Sequence, residues 1–459
     1  MSFYPTTIAA ISTAPAVGAV AVVRLSGPES LAVLKRVFQP LGRGDWEPRR
    51  MRFGRVINPS DGALVDEALA VWFPAPNSFT GEEVAEIQGH GGPVAAGRVL
   101  KAVLAAGAEL AAPGEFTRRA FMNGRLDLAQ AEAVADLIAA RSEAEAALAA
   151  RQLSGRLSER VENIHKDIIS ALADLEADID FGEELNALDM GRFQARLAEI
   201  AARLEQLLEE GRAGKPFRDG LRLALAGAPN VGKSSLFNAL ANDERALVSP
   251  APGTTRDFIT TEALWDGLWV ELCDTAGLSE TPVDELDALG QERARAQLDR
   301  ADVILWVGDC TRPDDVGTGQ KLPPPRTLRV WNKADLSPPP EEEGRARPAP
   351  AGPEPMPAIA VSARTGQGLD DLKAAILRLA TGQESPKPPE VSPNLRHQAI
   401  LSRTAQALNA SLAAARAGQP PDICAYELRT ALDTLGAICG RTAPDDILNE
   451  IFSRFCLGK

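Results

Sequence analysis

Apolar residues in this 459-residue chain recur with two periods, and the change from one to the other marks out its parts. Up to about residue 122, short runs at 19–25, 68–73 and 84–88 read as strands, because residues two apart share one face of a pleated strand. An Ala/Leu-rich stretch at 94–106 reads as a helix among them. From about 126 the spacing shifts to steps of three and four. Leu153, Leu157, Val161, Ile164, Ile168, Leu172, Leu175 and Ile179 form the apolar stripe of one long helix. Leu197, Ile200, Leu204, Leu207 and Leu208 form a second stripe. Strand-like runs return at 221–226, 269–274, 328–331 and 358–361. After the proline-rich 386–389, helical spacing resumes with Leu395, Ile400, Leu401, Leu408 and Leu412, then Leu428, Leu432, Leu435 and Ile438.

This order predicts a multidomain α/β and α protein. Residues 1–122 make an α+β amino-terminal domain, 123–215 the first part of a helical domain, 216–380 an α/β domain with a mostly parallel sheet, and 381–459 the second helical part. Each helical part is too sparse in apolar residues to fold alone. The economical reading is one helical bundle with the α/β domain inserted; two separate helical pieces are the alternative. The stretches 311–326 and 337–357 read as loop or linker.

Composition narrows the class. A hydrophobic content of 45% with 24% charged residues is that of a globular protein in water. No apolar run approaches the roughly 20 residues that span a bilayer. The amino terminus has no basic leader and reads as a strand, not a signal peptide. Five cysteines and three histidines show no metal-binding spacing, which fits a reducing cytoplasm and argues against a Cys/His metal centre. The net charge of −14 does not suggest a dedicated nucleic-acid binder. It is uneven, with 13 Lys/Arg against 11 Asp/Glu in 1–125 and 10 against 19 in 126–215. Any RNA contact is therefore local or supplied by a partner.

The chemistry is concentrated at 227–234, which fits the phosphate-binding loop G-x-x-x-x-G-K-[ST]. It lies between the apolar run 221–226 and a helix-like 235–240. Glycines let backbone N–H groups close around phosphate oxygens. Lys233 adds charge at the outer phosphates and Ser234 can hold Mg²⁺. Asn230, Val231, Gly232, Lys233, Ser234 and Ser235 form this set, with Lys233 also catalytic. Asp274, followed by Thr275, Ala276 and Gly277, ends a strand-like run; Asp274 can reach the Mg²⁺ shell, and Gly277 can offer its N–H to a γ-phosphate. Asn332-Lys333-Ala334-Asp335 also ends a strand-like run, as does Ser362-Ala363-Arg364. An Asp carboxylate accepts two hydrogen bonds from guanine N1–H and N2–H₂, whereas adenine would leave it unpaired. Ser362, Ala363 and Arg364 suit a contact with guanine O6. Together these segments predict a P-loop GTPase domain with GTP as substrate. Thr255, in the run 252–257, is the candidate second Mg²⁺ ligand. Leu278 stands where many small GTPases carry a water-orienting Gln, and an apolar side chain cannot orient water.

Beyond the nucleotide motifs, the chain resembles the MnmE (TrmE) family of tRNA modification GTPases along essentially its whole length. The resemblance is carried by the segments 76–81 (PNSFTG), 88–93 (QGHGGP), 116–121 (FTRRAF), 124–127 (GRLD), 130–133 (QAEA) and 455–459 (FCLGK). It implies a cytoplasmic homodimer built through amino-terminal domains that bind 5-formyltetrahydrofolate or a related folate. It further implies an FAD-containing partner, MnmG, and carboxymethylaminomethyl or aminomethyl addition at C5 of the wobble uridine of certain tRNAs. It implies K⁺-dependent hydrolysis, with Asn230, Ser249, Ala251 and Thr254 at the K⁺ and Ser234 and Thr255 at the Mg²⁺. Ser249, Thr254 and Thr255 then join the GTP-binding set. Arg24, Glu86, Arg125 and Lys459 match the folate-contacting positions. Cys456 matches a cysteine that is either chemical or a small packed residue.

The chain departs from the family pattern at the water-orienting carboxylate. Asp287 takes the place of a longer Glu, in a loop that is one residue longer, and Glu285 or Glu280 could serve instead. Two other readings compete with a tRNA-modifying enzyme: a ribosome-assembly GTPase, and a folate-binding one-carbon protein regulated by GTP. The first usually appends an RNA-binding domain, and nothing after 386 has a basic Gly-x-x-Gly loop or an aromatic platform.

Overall fold

A computed structural model describes residues 6–181, 188–241, 259–274, 295–313, 326–340, 358–383, 387–456 and 458–459. The chain divides into two compact units. One comprises Met1–Ala135, Gln152–Ala201 and Ile400–Lys459; the other comprises Asp136–Arg151 and Ala202–Ala399.

The first unit holds a seven-stranded sheet of order β3-β4-β5-β6-β2-β1-β7. Its strands are β1 Ile8–Ile11, β2 Val20–Ser26, β3 Phe38–Pro40, β4 Arg52–Ile57, β5 Leu64–Phe73, β6 Val84–His90 and β7 Glu109–Leu110. All pairings are antiparallel except β1 with β7. The expected strands at 19–25, 68–73 and 84–88 and the helix at 94–106 are present as β2, β5, β6 and α2 Pro93–Ala105. One face of the sheet buries Val23, Leu25, Ala70 and Ile87 against Val33 and Val37 of α1 Ser30–Val37 and Val99 and Val103 of α2. Alternation in β2 leaves Arg24 on the opposite face. Next comes α3 Glu115–Met122, whose Arg119 is fully buried. Its guanidinium donates to Thr6 O at 2.8 Å, Glu115 Oε1 at 2.8 Å and Glu82 Oε2 at 3.2 Å, which offsets the cost of burying the charge.

Helices follow as α4 Leu128–Ala139, α5 Glu143–Leu153, α6 Arg156–Phe181 and α7 Met190–Asp219. The single long stripe expected from Leu153 to Ile179 is not one helix. Gly155, at φ +87°, breaks it, so Leu153 ends α5 while Leu157, Val161, Ile164, Ile168, Leu172 and Leu175 are buried along α6. Ile179 at the far end is exposed. After α8 Lys233–Ala241 and α9 Leu369–Thr381 of the second unit come α10 Leu395–Arg416, α11 Pro421–Gly436 and α12 Asp445–Ser453. Glu176 of α6 pairs with Arg429 of α11 at 2.6 Å, and Glu162 pairs with Arg441 just beyond α11, so the two helices run antiparallel. The helical parts on either side of the inserted block thus pack together, as the sparse stripes required. Leu448 and Phe452 of α12 close the cluster against Leu128 and Phe121.

The second unit holds a six-stranded sheet of order β13-β12-β11-β8-β10-β9. Its strands are β8 Leu221–Ala226, β9 Ile259–Trp265, β10 Leu268–Asp274, β11 Val303–Asp309, β12 Thr327–Asn332 and β13 Ala358–Ala360. Only β9 runs antiparallel; it is joined to β10 through Asp266 and Gly267, both at positive φ, as a two-residue hairpin turn demands. Leu223, Leu225, Val270, Leu272, Leu305, Val307 and Val330 form its core with Leu236 and Leu240 of α8 Lys233–Ala241 and Leu372 and Ile376 of α9 Leu369–Thr381. Five parallel strands (β8, β10, β11, β12 and β13) therefore end along one edge, and the nucleotide motifs among the described residues lie there.

Candidate functional site

The loop between β8 and α8 is shaped by its glycines. Gly227 sits at φ +147°, and a Cβ there would lie 2.2 Å from Val307 O. Gly232 sits at φ +94°, and a Cβ would lie 2.4 Å from Asn332 Nδ2. Only glycine lets the loop approach its neighbours this closely. Asn230 is exposed in the left-handed region at φ +62°, a conformation that asparagine tolerates better than most residues. Lys233 is buried, and its ammonium donates to Gly227 O at 3.0 Å and Ala228 O at 2.9 Å. Burial lowers its pKa, with Asp274 pulling the other way. Ser234 Oγ donates to Asp274 Oδ2 at 2.8 Å, so the two oxygens proposed for the Mg²⁺ shell already converge. A hydroxyl beside a carboxylate fits the oxygen preference of a hard divalent cation. Val231 is buried under the loop and Ser235 is exposed at the start of α8.

The base-recognition residues stand beside this loop. Asn332 donates through Nδ2 to Val231 O at 3.1 Å and accepts through Oδ1 from Lys333 N at 2.8 Å and Ala363 N at 3.1 Å. It therefore ties three segments into one wall. Ser362 Oγ donates to Asp335 Oδ1 at 2.7 Å, which orients a carboxylate that is otherwise exposed. Arg364 is exposed next to it. The structure brings Asn230, Val231, Gly232, Lys233, Ser234, Ser235, Asp274, Asn332, Lys333, Asp335, Ser362, Ala363 and Arg364 to one sheet edge. Ser249, Ala251, Thr254, Thr255, Thr275, Ala276, Gly277, Leu278, Glu280, Glu285 and Asp287 lie outside the described residues.

One residue of this site carries no recognised motif. Asp309, at the end of β11, is buried and accepts from Lys333 Nζ at 2.5 Å and from Thr311 N and Oγ1 at 2.9 and 2.7 Å. Burial works against its carboxylate, but these donors outweigh it and hold the pKa below the ordinary range. The available signal was an Asp-x-Thr turn after an unbroken apolar strand.

A second charged cluster lies in the first unit. Arg24 of β2 faces Glu86 of β6 across the antiparallel register, with Nη2 to Oε1 at 2.9 Å, and lies over the rings of Phe79 and Phe116. Lys459 is close enough that burial first, and Arg24 second, lower its pKa, while Glu86 opposes them. Its tail is pinned by Ser12 Oγ donating to Gly458 O at 3.1 Å. Cys456 is exposed, unlike buried Cys273, whose thiol burial pushes up to about 11. Arg125 is exposed just past α3 and makes no side-chain bond or ion pair among the described residues. Two cations around one carboxylate, one of them packed over aromatic rings, fit a ligand that carries carboxylates.

Family models match both parts of the chain. Residues 7–125 match the GTP-binding protein TrmE N-terminus, and residues 128–456 match the MnmE helical domain. The chain is 42% identical to a tRNA modification GTPase MnmE of Synechococcus sp., over 99% of this chain and 98% of that one. A relative of the same description from Bordetella petrii is 44% identical over 98% of each chain. A solved Aquifex aeolicus Era variant bound to GDP and AlF4- covers 41% of this chain and 66% of its own at 30% identity. Its TM-score of 0.27 adds nothing to the fold read from the two sheets.

Proposed function

The chain belongs to the MnmE (TrmE) family of tRNA modification GTPases, and from that premise we propose that its GTP hydrolysis is K⁺-dependent and drives modification of tRNA wobble uridine at C5. The reaction adds a carboxymethylaminomethyl or aminomethyl group, with the FAD-containing MnmG as partner and a folate one-carbon unit as donor. The observation that carries the GTP part is the convergence of the phosphate loop, Asn332–Asp335 and Ser362–Arg364 on one sheet edge. Asp335 reads the guanine edge. Lys233 neutralises developing phosphate charge, and Ser234 and Thr255 would hold Mg²⁺, with Asp274 at its shell; the ion would supply charge stabilisation on the phosphate oxygens. Asn230, with Ser249, Ala251 and Thr254, supplies oxygen ligands for K⁺. Asp287, or Glu285 in its place, accepts from the attacking water in the role that Leu278 cannot fill.

In the amino-terminal domain, Arg24 and Lys459 bind folate carboxylates and Glu86 orients Arg24; Arg125 adds charge from the surface. We assign Cys456 to the same cluster as a candidate chemical group, a small packed residue being its alternative role. We place the folate-binding and dimerisation domain at 1–122, the helical domain at 123–215 and 381–459, and the GTPase domain at 216–380. We further propose a cytoplasmic homodimer. No helix among the described residues is long and apolar enough to cross a membrane. The test is complementation. A strain lacking its own copy should recover C5-modified wobble uridine, measured by mass spectrometry of digested tRNA, with this chain and not with the Asp335→Asn variant. Recovery of growth without modified uridine would point to a different function.

A further inference from the structure

Lys333 holds a position that needs an explanation. Its backbone lies in the left-handed region at φ +66°, a conformation that strains a non-glycine residue. Its ammonium donates to Asn230 O of the phosphate loop at 3.1 Å and to Asp309 Oδ2 at 2.5 Å. Asn230 is itself at φ +62°, so two left-handed residues meet through one ammonium. Asp309 is placed for this task. Its Oδ1 takes both bonds from Thr311, which fixes the carboxylate and leaves Oδ2 for the lysine. Its strand partner is Asn332, the residue before Lys333, and Cys310 N donates to Asn332 O at 2.9 Å. Side chain and backbone therefore hold the same pair of segments.

We propose that Asp309 is a positioning residue for guanine-nucleotide binding: it anchors the Lys333 ammonium against the Asn230 carbonyl, so that the base-reading loop and the phosphate loop keep a fixed separation. The inference rests on the GTP reading given above. Asp309 touches no nucleotide and acts through Lys333. A nucleotide contacts both loops at once, so a loose separation lowers affinity for GDP and GTP alike. The reacting phosphate is held by Lys233 and Ser234, so turnover at saturation is little affected.

The experiment measures binding of a fluorescent GDP and GTP turnover for the full chain, Asp309→Asn, Lys333→Met and the double variant. An asparagine amide can place an N–H₂ against the ammonium, so Lys333 loses its anchor while the size of the side chain is kept. Asp309→Asn should weaken GDP and GTP by about 10- to 100-fold, the worth of one charged hydrogen bond, with kcat within about twofold. The double variant should bind like Lys333→Met alone, because the two residues act as a unit. Asp309→Ser is run in parallel, since its small hydroxyl leaves room for water beside Thr311. Parent-like affinity in Asp309→Asn would overturn the proposal, as would losses that add fully to those of Lys333→Met. Loss of fold in both Asp309 variants would also overturn it, placing the carboxylate in stability alone. Failure of the unmodified chain to bind GDP would instead reject the GTP reading itself.

Discussion

The two charged sites are built by opposite routes. The nucleotide site gathers short contiguous motifs, each at the end of a strand, along one edge of a mostly parallel sheet. The second cluster gathers single residues, Arg24, Glu86 and Lys459, across an antiparallel register and from a tail that meets β1 446 residues away in sequence. In the first, topology does the gathering, because parallel strands deliver their following loops to the same side. In the second, side-chain pairing and a docked tail do it. The two sites share one device, a lysine (buried at Lys233, half-buried at Lys459) whose charged form burial disfavours. They differ in its neighbour, since Asp274 supports Lys233 whereas Arg24 opposes Lys459.

The contrast can be broken most directly at two glycines. Gly227→Ala would put a Cβ 2.2 Å from Val307 O, and Gly458→Ala one 2.2 Å from Ile11 O, both at positive φ. Each should cost about 3 kcal/mol or more from strain and overlap together. Gly227→Ala should abolish nucleotide binding. Gly458→Ala should leave nucleotide affinity intact while amide exchange quickens around Ser12 and Lys459. Loss of GDP affinity in Gly458→Ala would show that the sites are not independent.

Base selectivity comes next. Asp335→Asn should weaken GTP by on the order of 10²- to 10⁴-fold and improve xanthosine triphosphate, whose extra carbonyl accepts from the new amide. Competition binding with the two nucleotides measures this directly. A variant with unchanged preference would detach guanine recognition from Asp335.

The lysines sharpen the comparison through pH. A lysine whose folded pKa lies below the ordinary 10.5 is less protonated in the folded chain than in the unfolded one. As pH rises through the window between the lowered value and 10.5, stability should increase, because the unfolded chain binds more protons there. Affinity for an anion should fall over the same window, because the charged lysine is the form that binds. The neighbours should act with opposite sign: Asp274→Asn lowers the Lys233 pKa further, while Arg24→Gln raises that of Lys459. Labelled-lysine NMR reads both, and shifts of the same sign would erase the distinction.

The smallest effect concerns His90, exposed on β6, whose ring lies 2.6 Å from Asp66 Oδ1. The hydrogen bond that the ring donates to Asp66, and the charge of that carboxylate, raise the histidine pKa above 6.5. Its contribution to stability is present below 6.5 and is lost as pH rises through the folded value. Asp66→Asn should return the NMR titration to near 6.5, and an unshifted curve would remove the pair from consideration.

How much of this could be read beforehand follows from the same contrast. β8, β10, β12 and the phosphate loop were legible because period and motif coincide within a few residues. β11 is not: all seven residues of Val303–Asp309 are buried, so the run has no alternation to reveal it, and Asp309 is concealed with it. α1 and β1 are eight and four residues long, too short for periodicity to show. The break at Gly155 was hidden because Leu153 and Leu157 keep helical spacing across it. Arg24 and Lys459 could be linked only through family resemblance, since no local pattern joins residues so far apart. Glu86 opposite Arg24 depends on a strand register that the sequence does not display.

The docked tail has a consequence in time. During synthesis β1 leaves the ribosome early, and Gly458 is joined to the chain 446 residues after Ser12. At 5–20 residues per second the delay is about 20–90 s. In the last part of that interval, once β13 Ala358–Ala360 has been made, the nucleotide sheet can assemble and fill while the Arg24 cluster still lacks its lysine. A chain that stops before Gly458 would still carry the nucleotide motifs while lacking Lys459. The order of synthesis thus makes the Arg24 cluster the later of the two to mature, so that only a chain translated through Lys459 carries both sites.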